Sequence, residues 1–231
     1  MISGHNRRII NAIKKQPDSY DTLNDLFGMA RAVYEEDNKE LPYCLKITRY
    51  IKKMIPLLPE SNNLNELYWN VLLWEAPNLF ESFLLYMEKN RSARKKFYEP
   101  RAKTLKVVVD DLQDLEDGVI EFYGLSLPPR VGKSTICIFF LAWIAGRNPN
   151  LHNAMGGHSG ILAKGFYKEF LNLVTSPEYT YSEIFPDVTV ESKSAEEFTI
   201  NLNDPDRFAT LTCRGIDGTW TGAIDISSGG Y

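Results

Sequence analysis

Residues 124–135 read Gly124-Leu125-Ser126-Leu127-Pro128-Pro129-Arg130-Val131-Gly132-Lys133-Ser134-Thr135, and the predicted fold depends on this stretch. In a phosphate-binding loop, backbone N–H groups surround an anion, and the loop then opens a helix whose positive end faces the same charge. Gly132 lets the backbone come close, Lys133 supplies a charge for the terminal phosphates, and the Ser134 hydroxyl is suited to ligate magnesium. The residues predicted to bind nucleotide are Pro129, Arg130, Val131, Gly132, Lys133, Ser134 and Thr135.

The motif departs from the usual Gly-x-x-x-x-Gly-Lys-Ser/Thr pattern, because Leu127 stands where the first glycine is expected. Its context therefore matters. The apolar residues of 119–126 predict a buried strand before the loop, and those of 134–145 predict an apolar helix after it. A strand, a loop and a helix in this order are the arrangement that a phosphate-binding loop requires.

Arg130 lies inside the loop, and two roles for it remain open. Its guanidinium is suited to reach the terminal phosphate and offset charge in the transition state, which would make it catalytic together with Lys133. Alternatively, Arg130 braces the loop through a carboxylate.

The rest of the chain divides into two parts. Residues 1–100 read as a helical N-terminal region, with helices predicted at 5–15, 20–36, 43–56, 65–76 and 78–97. Residues 101–231 read as an ATPase domain, with helices also at 104–117 and 161–175 and strands also at 153–157, 197–202 and 209–213. Strands that alternate with helices predict an α/β fold whose sheet is mainly parallel and flanked by helices.

The composition limits the classes of protein to which this chain can belong. With 26 basic and 30 acidic residues the net charge is −4, so nucleic acid would have to be met by a local patch rather than by the whole chain. The three cysteines have no zinc or disulfide spacing, the N-terminus lacks a signal-peptide pattern, and no apolar run reaches the roughly 20 residues of a membrane span. These features predict a cytoplasmic protein.

One block of the chain is strongly basic. It lies between residues 89 and 106 and includes only one acid, Glu99. A solvated helix end and linker, contact with a DNA backbone, and contact with bound nucleotide all remain open for it. The basic residues are Lys89, Arg91, Arg94, Lys95, Lys96, Arg101, Lys103 and Lys106.

Residues 128–134 resemble the Pro-Pro-Arg-x-Gly-Lys-Ser loop of the large terminase subunits of tailed bacteriophages and prophages. The flanking segments resemble that family in their order along residues 97–231. They are Val107-Val108-Val109-Asp110-Asp111-Leu112-Gln113-Asp114-Leu115, Gly146-Arg147-Asn148-Pro149, Gly157-His158-Ser159, Ser176-Pro177-Glu178-Tyr179, Ile184-Phe185-Pro186-Asp187 and Gly218-Thr219-Trp220-Thr221-Gly222.

The resemblance implies a P-loop NTPase of the additional-strand class that uses ATP and Mg²⁺ to drive double-stranded DNA into a capsid. It also implies that the protein forms a homo-oligomeric ring and has a portal protein and a small terminase subunit as partners. Its expected location is the host bacterial cytoplasm and, transiently, the procapsid portal. Lys133 and Ser134 match the phosphate and magnesium ligands. Arg130 lies one residue from where some members place their loop arginine.

Hydrolysis by this family also needs an apolar strand that ends in two acids and holds magnesium. The run from Val107 to Asp111 mimics such a strand, but it precedes the loop and continues a helical pattern. Asp225 follows only a short apolar run and has no second acid after it. We therefore expect a chain that stops just before its catalytic acid. A truncated nucleotide-binding interaction module without turnover, or another P-loop enzyme such as a helicase, remains an alternative.

Overall fold

A computed structural model describes residues 19–203 and 208–218, and the chain forms two compact units, one up to Glu75 and one from Ala76 onward. The predicted helix at 5–15, Asp225, and residues 219–222 of the terminase-like Gly-Thr-Trp-Thr-Gly segment lie outside the described residues. No helix in the described parts of the chain has the length and apolar character needed to cross a bilayer.

The first unit contains three described helices, and each presents an apolar face to a common core. Ser19 caps the first helix by accepting a hydrogen bond from Thr22 N, and Trp74 packs edge-on against Phe27. The predicted helices at 20–36, 43–56 and 65–76 are confirmed, with ends that differ by up to three residues. The helices are α1 (Tyr20–Glu36), α2 (Leu41–Met54) and α3 (Asn62–Glu75).

The second unit is built around one apolar helix, α6, which begins at the motif lysine. The Trp143 indole of α6 is fully buried and donates a hydrogen bond to the Ala76 carbonyl, while Tyr181 donates to the Ala142 carbonyl. Gly146 lies so close to the Phe185 ring that a Cβ there would approach it to 2.3 Å. The helices of this unit are α4 (Phe80–Met87), α5 (Ala102–Glu116), α6 (Lys133–Arg147), α7 (Gly160–Thr175) and α8 (Tyr181–Ile184).

A small mixed sheet completes the second unit. Its order is β1-β4-β3-β2, with β1 and β4 parallel and the other two pairs antiparallel. Helix α7 follows β1, and Ser159 caps it by accepting a hydrogen bond from Leu162 N. The strands are β1 (Asn153–Gly157), β2 (Val190–Ser194), β3 (Thr199–Leu202) and β4 (Leu211–Gly215).

This sheet overturns the predicted α/β fold, because the described strands form one parallel pair instead of the mainly parallel sheet of a P-loop NTPase. The predicted strand at 119–126 does not form. The N–H groups of Val119 and Ile120 both donate to the Asp114 carbonyl, which turns the chain at the end of α5. Phe122 is then 85% exposed, and no described strand pairs with the segment. Its apolar composition suits a strand, but a strand forms only where a neighbour supplies hydrogen bonds.

The helix predicted at 78–97 is also shorter than expected. Helix α4 ends at Met87, and the following residues form turns. The reason is Glu88, a buried carboxylate that accepts hydrogen bonds from the N–H groups of Phe97 and Tyr98 and so folds the chain back on itself. Periodicity does not reveal such a contact, because it depends on a side chain ten residues away.

Candidate phosphate-binding loop and its supports

The loop before α6 has an unusual backbone. Arg130 has φ +67° and Gly132 has φ +105°, both in the left-handed region that residues other than glycine seldom adopt. Val131, between them, lies outside that region. Backbone that alternates in this way turns successive N–H groups toward one side, where an anion can lie. Strained backbone of this kind occurs preferentially at ligand-binding sites.

The first turn of α6 continues this surface. The N–H groups of Lys133, Ser134 and Thr135 have no partner within the helix, and no side chain caps them. The Lys133 and Ser134 side chains are exposed, and Thr135 is half-buried. A helix of fifteen residues places partial positive charge at this end, and the Lys133 ammonium adds a full charge. The geometry therefore suits a phosphate group.

Gly132 is required for a second reason, which is its contact with an aromatic ring. A Cβ at Gly132 would lie 2.4 Å from Cε2 of Phe97, so no larger residue fits without moving the ring. Phe97 is itself stacked on Phe139 of α6, with ring centroids 5.6 Å apart and planes 18° apart. The Phe97 ring therefore packs against the loop at Gly132.

Phe97 is held in place by Glu88, which is only 2% exposed. The two carboxylate oxygens of Glu88 accept from Phe97 N at 2.7 and 2.8 Å, and one of them accepts from Tyr98 N at 2.9 Å. Arg91 neutralises this carboxylate at 3.1 Å and also donates to the Tyr179 hydroxyl at 2.6 Å. These contacts link the loop to the terminase-like segment at 176–179.

The basic block is therefore largely a folded, ion-paired structure. Lys95 pairs with Glu178 at 2.8 Å, and Lys96 pairs with Glu99 at 2.6 Å. Lys106 pairs with Glu81 and Asp110, and Arg101 donates to the Phe97 carbonyl at 2.8 Å while lying over its ring. Within residues 19–203 and 208–218, Arg94 and Lys103 are exposed members of the block without an ion pair.

The apolar run that mimics a magnesium-binding strand is helical, as its pattern predicts, and lies within α5. Asp110 pairs with Lys106, and Asp111 is hydrogen-bonded to the Tyr123 hydroxyl. Burial, with that hydrogen bond, raises the pKa of Tyr123 to about 12. Both carboxylates are thus occupied by neighbours outside the loop.

A carboxylate that the sequence analysis missed lies beside the loop. Glu169 is an exposed residue of α7, and its carboxyl group interacts with the Thr135 side chain. Burial of its carboxyl group raises the pKa of Glu169, and the Thr135 hydrogen bond partly counters this. In the sequence Glu169 is merely a polar position on an amphipathic helix, 34 residues beyond Thr135, so no local pattern points to it.

Two of the terminase-like flanking segments, at 176–179 and 184–187, contact α6. Phe185 packs against Gly146, and Arg147 pairs with Glu116 at 2.9 Å. Tyr179 contacts Phe139 edge-on, with ring centroids 6.0 Å apart. Two segments that follow α6 in the sequence therefore pack against the helix that carries the loop.

No protein-family model, curated protein or solved structure matches this chain.

Proposed function

We propose that this chain is the ATP-binding part of a viral DNA-packaging motor, the large subunit of a terminase. The observation that carries the proposal is the left-handed loop at Arg130 and Gly132, followed by an uncapped apolar helix that begins with Lys133 and Ser134. This geometry occurs at the loop whose residues resemble the terminase motif. In the proposed function, hydrolysis of ATP drives double-stranded DNA into a capsid.

The residues present fit ATP with Mg²⁺. Exposed N–H groups and the Lys133 ammonium are donors for phosphate oxygens, and the exposed Ser134 hydroxyl is an oxygen ligand of the kind that Mg²⁺ accepts. A bound Mg²⁺ would neutralise charge on the transferred phosphoryl group. Arg130 is exposed, and the described ion pairs do not include it, so a role on the terminal phosphate is favoured over a brace through a carboxylate.

The resemblance extends the proposal to partners and place. Copies of the chain would form a homo-oligomeric ring and would assemble with a portal protein and a small terminase subunit. They would do so in the host bacterial cytoplasm and, during packaging, at the procapsid portal. No contact among the described residues bears on these partners, and they rest on the terminase-like segments alone.

A second candidate is a nucleotide-binding interaction module without turnover. It is favoured by one observation: among the described residues, no strand ends in a pair of acids, and the run from Val107 to Asp111 is helical. A site with this loop but no acid to orient water would hold nucleotide and hydrolyse it poorly.

The 231-residue chain is expected to bind a fluorescent, non-hydrolysable ATP analogue saturably in the presence of Mg²⁺. ATP and ADP should displace the analogue and adenosine should not, because the loop offers donors for phosphates. Fluorescence anisotropy measures the binding, and release of inorganic phosphate measures turnover. Turnover that rises with double-stranded DNA would support the motor, whereas binding without turnover is expected both of the module and of a motor chain that stops before its catalytic acid. Absence of displaceable binding would contradict both.

Contact of the basic block with DNA should come from Arg94 and Lys103, because its other cations already have partners. The double variant Arg94→Ala/Lys103→Ala should lower the slope of log K against log salt by about 2, since each phosphate contact contributes about 0.9. Salt-dependent binding to a DNA duplex measures this. The matched control Lys95→Ala/Lys96→Ala removes two carboxylate-paired cations and should change the slope less. An equal slope in the parent protein and in both double variants would show that the basic block does not contact DNA.

A further inference from the structure

Helix α2 is strongly basic, although the chain as a whole carries a net charge of −4. Its fourteen residues include four cations and no aspartate or glutamate. One of the cations, Lys52, pairs with the buried Glu75, which leaves Lys46, Arg49 and Lys53. These three residues are exposed, and the ion pairs found within 19–203 and 208–218 do not include them. We call them the α2 stripe.

The α2 stripe occupies one face of the helix. At 3.6 residues per turn, positions 46, 49 and 53 lie within about 60° of one another around the helix axis. The opposite face packs in the core of the first unit, where Ile47 is 1% exposed and Ile51 is fully buried. At 1.5 Å per residue the stripe extends over about 10 Å along the axis. It is therefore a short row of positive charge that faces solvent.

The stripe does not stabilise the helix that carries it. Lys46 and Arg49 are three residues apart, and Arg49 and Lys53 are four apart, so like charges are neighbours on the helix surface and repel each other. The negative end of the helix favours Lys53, in the last turn, but does not account for the other two cations. A solvated helical face more often carries charges of both signs. A bound polyanion would remove the repulsion.

The shape and chemistry of the stripe suit a phosphate backbone better than a protein or a membrane. Protein interfaces depend on apolar and aromatic anchors, and the stripe includes none. The apolar face of α2 cannot enter a bilayer, because it is buried in the core of the unit. One strand of DNA carries one charge per about 3.4 Å of duplex axis, so about 10 Å of it holds about three phosphates. The stripe has the same number of cations.

We propose that the α2 stripe contacts the phosphate backbone of double-stranded DNA. The inference rests on the proposed function and assigns a role to the helical first unit, which the nucleotide site does not involve. Contacts of lysine and arginine with phosphates position a protein on a duplex without reading its sequence. A motor that moves DNA of any sequence needs contacts of this kind. The stripe is distinct from the basic block at 89–106, which belongs to the other unit.

The test measures binding of the full chain to a DNA duplex at several salt concentrations, by fluorescence anisotropy. The triple variant Lys46→Gln/Arg49→Gln/Lys53→Gln should lower the slope of log K against log salt by about 2.7, since each phosphate contact contributes about 0.9. The double variant Lys46→Arg/Lys53→Arg keeps the charges and should retain the slope of the parent protein. Thermal unfolding of the triple variant should occur at or above the parent temperature, because the repulsion between like charges is removed.

The matched control Lys164→Gln/Lys168→Gln/Lys193→Gln removes three exposed cations from the second unit. Its net charge equals that of the α2 variant, and its slope should differ from the parent slope by less than about 1. An equal loss in the two triple variants would overturn the proposal, because general positive charge would then account for binding.

An equal slope in the parent protein and in the α2 variant, or no DNA binding by the parent protein, would also overturn the proposal. So would an α2 variant that loses affinity for a poly-glutamate peptide while its DNA slope is unchanged, since the stripe would then fit an acidic protein. In each of these cases, binding of the ATP analogue that depends on Lys133 would leave the nucleotide site standing. A lowered DNA slope in a protein that does not bind the analogue would instead overturn the proposed function and retain the α2 contact.

Discussion

Lys133→Ala is expected to weaken binding of the ATP analogue by about 10- to 100-fold. The Lys133 ammonium is exposed at the first residue of α6, where the helix end and the left-handed loop already favour an anion. A hydrogen bond from a charged donor contributes about 1.5–3 kcal/mol, which corresponds to this range of affinity. Isothermal titration calorimetry in Mg²⁺ measures the change.

The fold should survive this substitution, because Lys133 makes no ion pair among the described residues and is exposed. Thermal unfolding of the variant should therefore match that of the parent protein. Lys164→Ala, at an exposed lysine on α7, is the matched control and should bind the analogue normally. Equal losses in the two variants would mean that general positive charge, and not the loop lysine, accounts for binding.

The Lys133 charge has a second measurable effect. Burial raises the pKa of the Cys137 thiol, and the Lys133 charge partly counters this rise. In Lys133→Ala the thiol pKa should rise, so less thiolate is present at a given pH and alkylation of Cys137 should slow. This readout requires no nucleotide and shows whether the charge lies where the structure places it.

Glu88→Ala is expected to cost about 3–5 kcal/mol of stability in the unit from Ala76 onward. The substitution leaves the Arg91 guanidinium, 15% exposed, without its buried carboxylate, and it leaves the N–H groups of Phe97 and Tyr98 without acceptors. In a unit of this size a loss of that order lowers the midpoint of thermal unfolding by about 10 °C. Differential scanning calorimetry measures the shift.

Glu99→Ala is the matched control for this prediction. Glu99 pairs with Lys96 at 2.6 Å, but it lies on the surface, where such pairs contribute about 0–1 kcal/mol. The midpoint of thermal unfolding of Glu99→Ala should therefore be close to that of the parent protein. Below the unfolding transition, Glu88→Ala should also bind nucleotide more weakly than Glu99→Ala, because the Phe97 ring that supports Gly132 loses its anchor. Similar midpoints for the two variants would show that Glu88 does not hold this segment together.

Part of the site was predictable from sequence because its chemistry is local. Residues 129–135 combine the glycine, lysine and hydroxyl that a phosphate loop needs, and the helix that follows begins at Lys133, one residue before its predicted start. The supports of the loop were not predictable. Phe97 contacts the loop from another segment and is held there by Glu88, and neither side chain carries a local signature of that contact.

By itself the sequence determined most of the described helices and the position of the loop, but not the end of α4. Apolar spacing specifies helices such as α1, α6 and α7, and serine caps add to it in α1 and α7, because both signals act over a few residues. Tertiary structure decided which apolar segments pair as strands and where charges are neutralised. Residues 119–126 have the composition of a strand but no partner, and the basic block is mostly bound to carboxylates from other segments. Pairing and neutralisation depend on residues far away in the chain, so composition alone could not fix either.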